Sequence, residues 1–213
     1  MRLLGLLALG PALAAPAQTP GPMIRNHFES DAVMRAPGFF DFAELSAPGP
    51  AEWIVFADQN PPSPPNQLTQ TAANRPADSI AVAIRRNVSF RDGQLSVALR
   101  RASGRGGILL RMSSEKDFLV LLVDSASGDA RLVSYRGGKA SELSRGQAGF
   151  ERDWGVLTIH ASGEEVRAFW EGKPLFSGKD PMPSIGRTGL ATAGPGHAAF
   201  DEFILQAASE KEK

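Results

Sequence analysis

Two carboxylates flanking a scissile bond, about 5 to 9.5 Å apart, are what ordinary glycosidic hydrolysis requires. A strand with acids at i, i+2 and i+4 would supply them on one face. The sequence lacks such a run. Asp201 and Glu202 are adjacent and face opposite ways in a strand, and Asp41 and Glu44 share no face of a regular one. The histidines His27, His160 and His197 are widely separated, without the ligand spacing of a zinc site. Gly-x-Ser-x-Gly ahead of a helix, the nucleophile elbow, is missing. Gly104-Arg-Gly-Gly107 lacks the Lys-Ser/Thr and the helix of a phosphate loop, and reads as an arginine-bearing turn between strands. The residue types therefore point away from catalysis and toward binding.

Bulk properties narrow the class further. Lys and Arg together number 23, as do Asp and Glu, and no basic stripe stands out, so a nucleic-acid footprint is absent. Met1-Arg2, the apolar run from Leu3 and the small residues through Ala17 form an export signal over residues 1–17. That run is too short to span a bilayer, and no other stretch is apolar enough to do so. With no cysteine, the chain has neither disulfides nor a lipid-anchored cysteine, which favours a bacterial periplasmic or extracellular protein. Asn87-Val-Ser89 matches a glycosylation triplet that would be idle in a bacterium.

The elements that must position any site are β-strands. Trp154 to Phe176 reads as two consecutive hairpins, turning at Ser162-Gly163 and Glu171-Gly172. Ser79–Arg85 places Ile80, Val82 and Ile84 on one face and Gln94–Arg100 places Leu95, Val97 and Leu99 on one face, so each reads as a strand with one buried face. Gly106–Met112 and Phe118–Val123 are apolar on both faces, which predicts central strands covered on both sides. Asp58–Gln70, with its four prolines, predicts a rigid extended loop across the sandwich edge. About a dozen strands without convincing helical periodicity predict an all-β, two-sheet antiparallel jelly-roll sandwich. The expected layout is a linker at 18–24, one β-sandwich domain at 25–206 and a disordered tail at 207–213.

Trp53–Asp58, Pro62–Thr71, Gly107–Arg111, Asp129–Tyr135 with Gly138-Lys139, Phe169–Phe176, Gly186–Leu190 and Phe200–Phe203 follow one another in an order that resembles a known group. These are the exported concanavalin A-like jelly-roll domains labelled 3-keto-disaccharide hydrolase or glycoside hydrolase family 16-like, cousins of laminin G modules. The resemblance implies two curved antiparallel sheets, export and association with glycans. The family 16 enzymes carry a Glu-x-Asp-x-x-Glu strand that this chain lacks. It departs again where Lys116-Asp117-Phe118-Leu119 leads to Leu122, in place of Asp-Asn-Tyr-Tyr followed by Arg, and where Trp154-Gly155 replaces Trp-His. Jelly rolls also hold Ca²⁺ near their termini, for which Glu29, Asp31 and Asp201 are the candidates here. The expectation is a noncatalytic module that binds a glycan or an envelope protein, with Arg111, Phe118, Tyr135 and Arg136 as contacts. A hydrolase of glycosidic bonds in oligosaccharides or 3-keto-disaccharides is the alternative, and a structural domain pairing through a greasy sheet face is a third reading.

Overall fold

The computed structural model describes residues 20–46, 51–102 and 104–208. The export signal at 1–17 lies outside the described residues. In chain order the described strands are β1 (Pro20–Asn26), β2 (Phe40–Glu44), β3 (Trp53–Ala57), β4 (Asn66–Gln70), β5 (Ile80–Arg85), β6 (Gly93–Arg100), β7 (Arg105–Ser114) and β8 (Asp117–Asp124). They continue as β9 (Asp129–Arg136), β10 (Lys139–Gln147), β11 (Trp154–Ser162), β12 (Glu165–Trp170), β13 (Lys173–Lys179), β14 (Arg187–Ala193) and β15 (Ala198–Ala208). All pairings are antiparallel. One sheet runs β13-β12-β11-β6-β15-β4-β3, with β1 beside the second half of β15, and the other runs β10-β9-β8-β7-β14-β5-β2. The protein is an all-β jelly-roll sandwich, and among the described residues no helix is long and apolar enough to cross a membrane.

Alternation of side chains along each strand builds the core. Leu95, Val97 and Leu99 of β6, Leu157 and Ile159 of β11, and Phe200 and Phe203 of β15 face inward from one sheet. They meet Ala81 and Ala83 of β5, Ile108 and Leu110 of β7, and Leu119, Leu121 and Val123 of β8 from the other. The intervening residues of these last three strands, Ile80, Val82, Ile84, Leu109, Phe118, Val120 and Leu122, form a second buried cluster on the outward face. The doubly apolar pattern of β7 and β8 is thereby realised, and β5 shares it.

Three expectations need correction. β1 falls within the expected linker because its backbone pairs with β15, from Met23 opposite Gln206 to Asn26 opposite Phe203, whatever its poor strand composition. β15 in turn reaches Ala208, into the expected tail. The proline-rich stretch ends earlier than its composition suggests, since Asn66–Gln70 is a paired strand between β3 and β15. Its prolines occupy 61–65, where Asp58 N–H donates to the Pro65 carbonyl and Ser63 N–H to Asp201 Oδ2, laying the loop against β15.

The double hairpin forms as its sequence dictates. Ser162 pairs with Glu165 across a Gly163-Glu164 turn, one residue later than expected, with Gly163 at φ +55°. Glu171 (φ +50°) and Gly172 (φ +72°) both take the left-handed conformation that a tight two-residue hairpin turn demands.

Candidate functional site

The residues expected to form one binding surface do not share one. Arg111 takes φ +51° at a bulge in β7, which turns its guanidinium off the sheet face and into the end of the sandwich. There it is 1% exposed and fully engaged: Nη1 donates to Asp180 (3.0 Å), Nη2 to Asp92 (3.3 Å) and the Gly163 carbonyl (2.7 Å), and Nε to the Arg91 carbonyl (2.9 Å). Asp180 is buried and also accepts from Arg136 Nη2 at 2.7 Å. These two arginines thus tie the β11–β12 turn and the β13–β14 connection to β7, a structural duty. Phe118 is buried as well, because its register partner Tyr135 stacks on it with centroids 4.5 Å apart and planes at 12°. Tyr135 lines a cavity.

That cavity, about 380 Å³, has an apolar floor of Ile80, Leu122, Val133 and Ala193. Its charged rim is largely committed to the protein itself. Asp129 accepts from Arg131 and Arg145, Arg131 also faces Glu142 at 3.6 Å, Asp124 takes the Ala126 and Ser127 N–H groups, and Arg105 donates to the Ala77 carbonyl.

Glu29, Asp31 and Asp201 are not gathered into a cation cage. Among the described residues no three His, Cys, Asp or Glu side chains converge for a metal. Asp31 accepts the Gly38 N–H and Asp201 accepts the Ser63 and Glu202 N–H groups, while the Glu29 carboxylate lies against His27 with neither oxygen hydrogen-bonded among the described residues. The carbonyls of Phe28, Glu29 and Asp31 converge on Asn66 Nδ2, a donor standing where a cation would need acceptors. Burial beneath the proline-rich loop pushes the Asp201 carboxyl up to about 7, but it lines neither cavity. The remaining acids are dispersed, Asp41 on Arg86, Asp117 on Ser114 and Gly137, and Glu202 on Arg25. His160 is exposed beside Phe169, as its strand position implies, and burial of the ring together with Arg167 lowers its pKa. His27 follows Asn26, the partner of Phe203, whereas His197 lies just before β15 begins, so the two belong to different points along that strand.

A larger cavity, about 470 Å³, opens at the end of the sandwich, where sequence reasoning assigned only packing. The end of β10, the 148–153 loop, the start of β11 and the β12–β13 turn build it. The hairpin register brings them together: Leu157 pairs with Trp170, so the first residues of β11 lie beside the Glu171-Gly172 turn. Trp170 is buried, its Nε1 donates to the Gly149 carbonyl at 2.8 Å, and Phe150 packs on it at 4.5 Å. The indole needs the space left by Gly155, where a Cβ would sit 2.0 Å from Trp170 Cζ2. That contact explains why this chain has glycine there.

Trp154 is half-buried in the wall, with the Arg100 guanidinium 5.9 Å from its ring centroid. Its indole N–H is buried and has no hydrogen-bond partner. Glu171 bridges back to the Val156 N–H at 2.6 Å, and Lys173 faces Glu151 at 3.8 Å. The guanidinium of Arg152 makes no hydrogen bond or ion pair among the described residues. An indole face and charged groups of both signs around one concavity can hold a ring that carries hydroxyls. The signal in the sequence was the Glu151-Arg152-Asp153-Trp154 cluster ahead of a hairpin whose far turn reads Glu171-Gly-Lys-Pro174.

The sequence matches no protein-family model and no curated protein. Solved structures share the fold. The carbohydrate-binding module CBM66 from Bacillus subtilis superposes with a TM-score of 0.59 at 14% identity, covering 79% of this chain and 97% of that one. A galectin-like protein of unknown function from Bacillus subtilis gives 0.61 at 14% identity, over 91% and 100% of the two chains. The Bacillus licheniformis β-glucanase gives 0.57 at 9% identity, over 89% and 99%. These similarities show the jelly-roll sandwich fold, which the carbohydrate-binding module and the β-glucanase both have.

Proposed function

We propose that this chain is an exported, noncatalytic β-sandwich module that binds a glycan in the Trp154 cavity. The observation that carries the reading is the cavity wall itself: the half-buried indole of Trp154 set among Glu151, Arg152, Glu171 and Lys173 at the loop end of the sandwich. The fold similarity to CBM66 supports it, and the signal-like residues 1–17 support export to the periplasm or beyond. Catalysis is the weaker reading. Burial drives Asp201 toward the protonated state a general acid needs, yet it lies under the 58–65 loop, away from both cavities.

Titration calorimetry against a panel of soluble oligosaccharides and polysaccharides tests this. At least one glycan is expected to bind, and Trp154→Ala to weaken it tenfold or more, the loss typical of a central aromatic anchor. Binding that survives Trp154→Ala unchanged, or none anywhere in the panel, would overturn the site. Reducing-end release above blank that disappears in Glu151→Gln or Glu171→Gln would overturn the noncatalytic reading.

A further inference from the structure

We infer that the glycan held by the Trp154 cavity is acidic, with the anionic substituent of one sugar, a carboxylate or a sulfate ester, seated on Arg152. The inference rests on the glycan reading and names the chemistry of its ligand. Four charged side chains line the cavity, Glu151, Arg152, Glu171 and Lys173. Three are already engaged. Glu171 accepts the Val156 N–H at 2.6 Å, which closes the left-handed turn on which it sits. Lys173 and Glu151 face each other at 3.8 Å.

Arg152 alone among these charges has no partner in the described residues. The four charges balance, and the one charged group left without a partner among the described residues is a guanidinium. A guanidinium offers a planar fork of N–H donors that matches two oxygens of an anion, so it recognises carboxylate or sulfate oxygens with direction as well as charge. Trp154 in the cavity wall supplies the complementary surface for the C–H face of the same ring. A neutral sugar would use the indole and leave Arg152 idle, whereas an acidic sugar uses both.

The rim also sets the size of the effect. Arg152 is exposed, and Glu151 beside it opposes a second negative charge, so the preference is the few-fold advantage of a solvent-facing ion pair rather than an absolute requirement.

Matched probes decide the matter. Oligogalacturonate is compared with its carboxyl-reduced, neutral counterpart, and a sulfated galactan oligosaccharide with its desulfated counterpart, by calorimetry in low and high salt. In at least one pair the anionic member is expected to bind about three- to fivefold more tightly at low salt, with the gap closing as salt rises. Arg152→Gln should erase the gap between the anionic and the neutral member. Glu151→Gln should widen it. The pair that shows the gap identifies carboxylate or sulfate as the anion.

Neutral members that bind as tightly as their anionic twins, or a preference that persists in Arg152→Gln, would overturn the inference while the glycan site stands. Absence of binding by all four probes and by the wider panel would remove the glycan reading and this inference with it.

Discussion

Gly155→Ala offers the sharpest test of how the cavity is built. Gly155 does not have a left-handed backbone, so the substitution strains no φ angle, and its whole effect is steric. The new Cβ would lie 2.0, 2.6 and 2.7 Å from Trp170 Cζ2, Cη2 and Cε2. Carbon atoms in ordinary contact stand about 3.5 Å apart, so the indole must retreat by about 1.5 Å. It is hemmed in by Phe150 and held by the 2.8 Å bond to Gly149, and it cannot retreat without disturbing both. Overpacking of this kind costs about 1–3 kcal/mol, and loss of the indole hydrogen bond about 1 kcal/mol more. Replacing a strand glycine returns about 0.5–1 kcal/mol. The net expectation is a loss of about 2 kcal/mol, which for a domain of this size lowers the melting temperature by about 4–8 °C. Thermal unfolding together with near-ultraviolet circular dichroism of the tryptophans reads it. An unchanged melting temperature with an unchanged tryptophan spectrum would show that the packing of Trp170 against Gly155 is not what fixes this end of the sandwich.

Other perturbations reach different parts of the molecule. Because the folded Asp201 carboxyl titrates near 7 and its unfolded counterpart near the ordinary aspartate value, the folded state holds the extra proton between them. Stability should therefore fall as pH rises from about 4 through 7, at up to about 1.4 kcal/mol per unit, and urea midpoints of Asp201→Asn should lack that slope. Arg111→Met leaves buried Asp180 with only Arg136 and removes the anchor of Asp92, a loss of about 3–5 kcal/mol that a urea titration would register. Asn66→Ala removes the amide that satisfies the Phe28, Glu29 and Asp31 carbonyls, for a loss of about 1–3 kcal/mol in the same assay. Asn66→Asp should be worse, since it aims an acceptor at acceptors.

Strands whose burial follows their own alternation were legible from residue types. The double hairpin and the doubly apolar β7 and β8 could be read because each position's polarity reports its face. β4 could not, because it spends polar side chains in the interior: Asn66 plugs a turn of carbonyls, and Gln70 is buried opposite Trp53. β1 reads as a linker because its place is fixed by backbone pairing with β15, which side-chain pattern does not encode. Arg111 was misplaced for a related reason. Strict alternation puts it among surface residues, but one left-handed residue at a bulge reverses its direction, and nothing in Leu110-Arg111-Met112 announces a bulge. The cavity was hidden differently. Trp154 and Trp170 have the same composition signal, but one is core and the other is a wall, a distinction set by the 148–153 loop and not by the strands.

The placement of the proposed site at the loop end follows from how the sheets spend their surface. The second sheet has apolar side chains on both faces along β5, β7 and β8, so its outward face buries aliphatic groups and offers little polarity to a ligand. Where charge does appear around that face, beside Tyr135, acids and arginines mostly neutralise one another or bond to backbone. Recognition of a polyol needs polar groups left over after folding, on a support that folding has made rigid. The β11–β12–β13 meander meets both demands. Its register fixes the Glu171 turn beside the start of β11, Gly155 admits the Trp170 indole that anchors the 148–153 loop, and the loop then carries Arg152, whose guanidinium has no partner among the described residues, beside Trp154. If function lay instead on the face near Tyr135, Tyr135→Ala would abolish glycan binding while Trp154→Ala left it intact. The geometry requires the opposite order of effects, and measuring the two variants side by side separates the two locations.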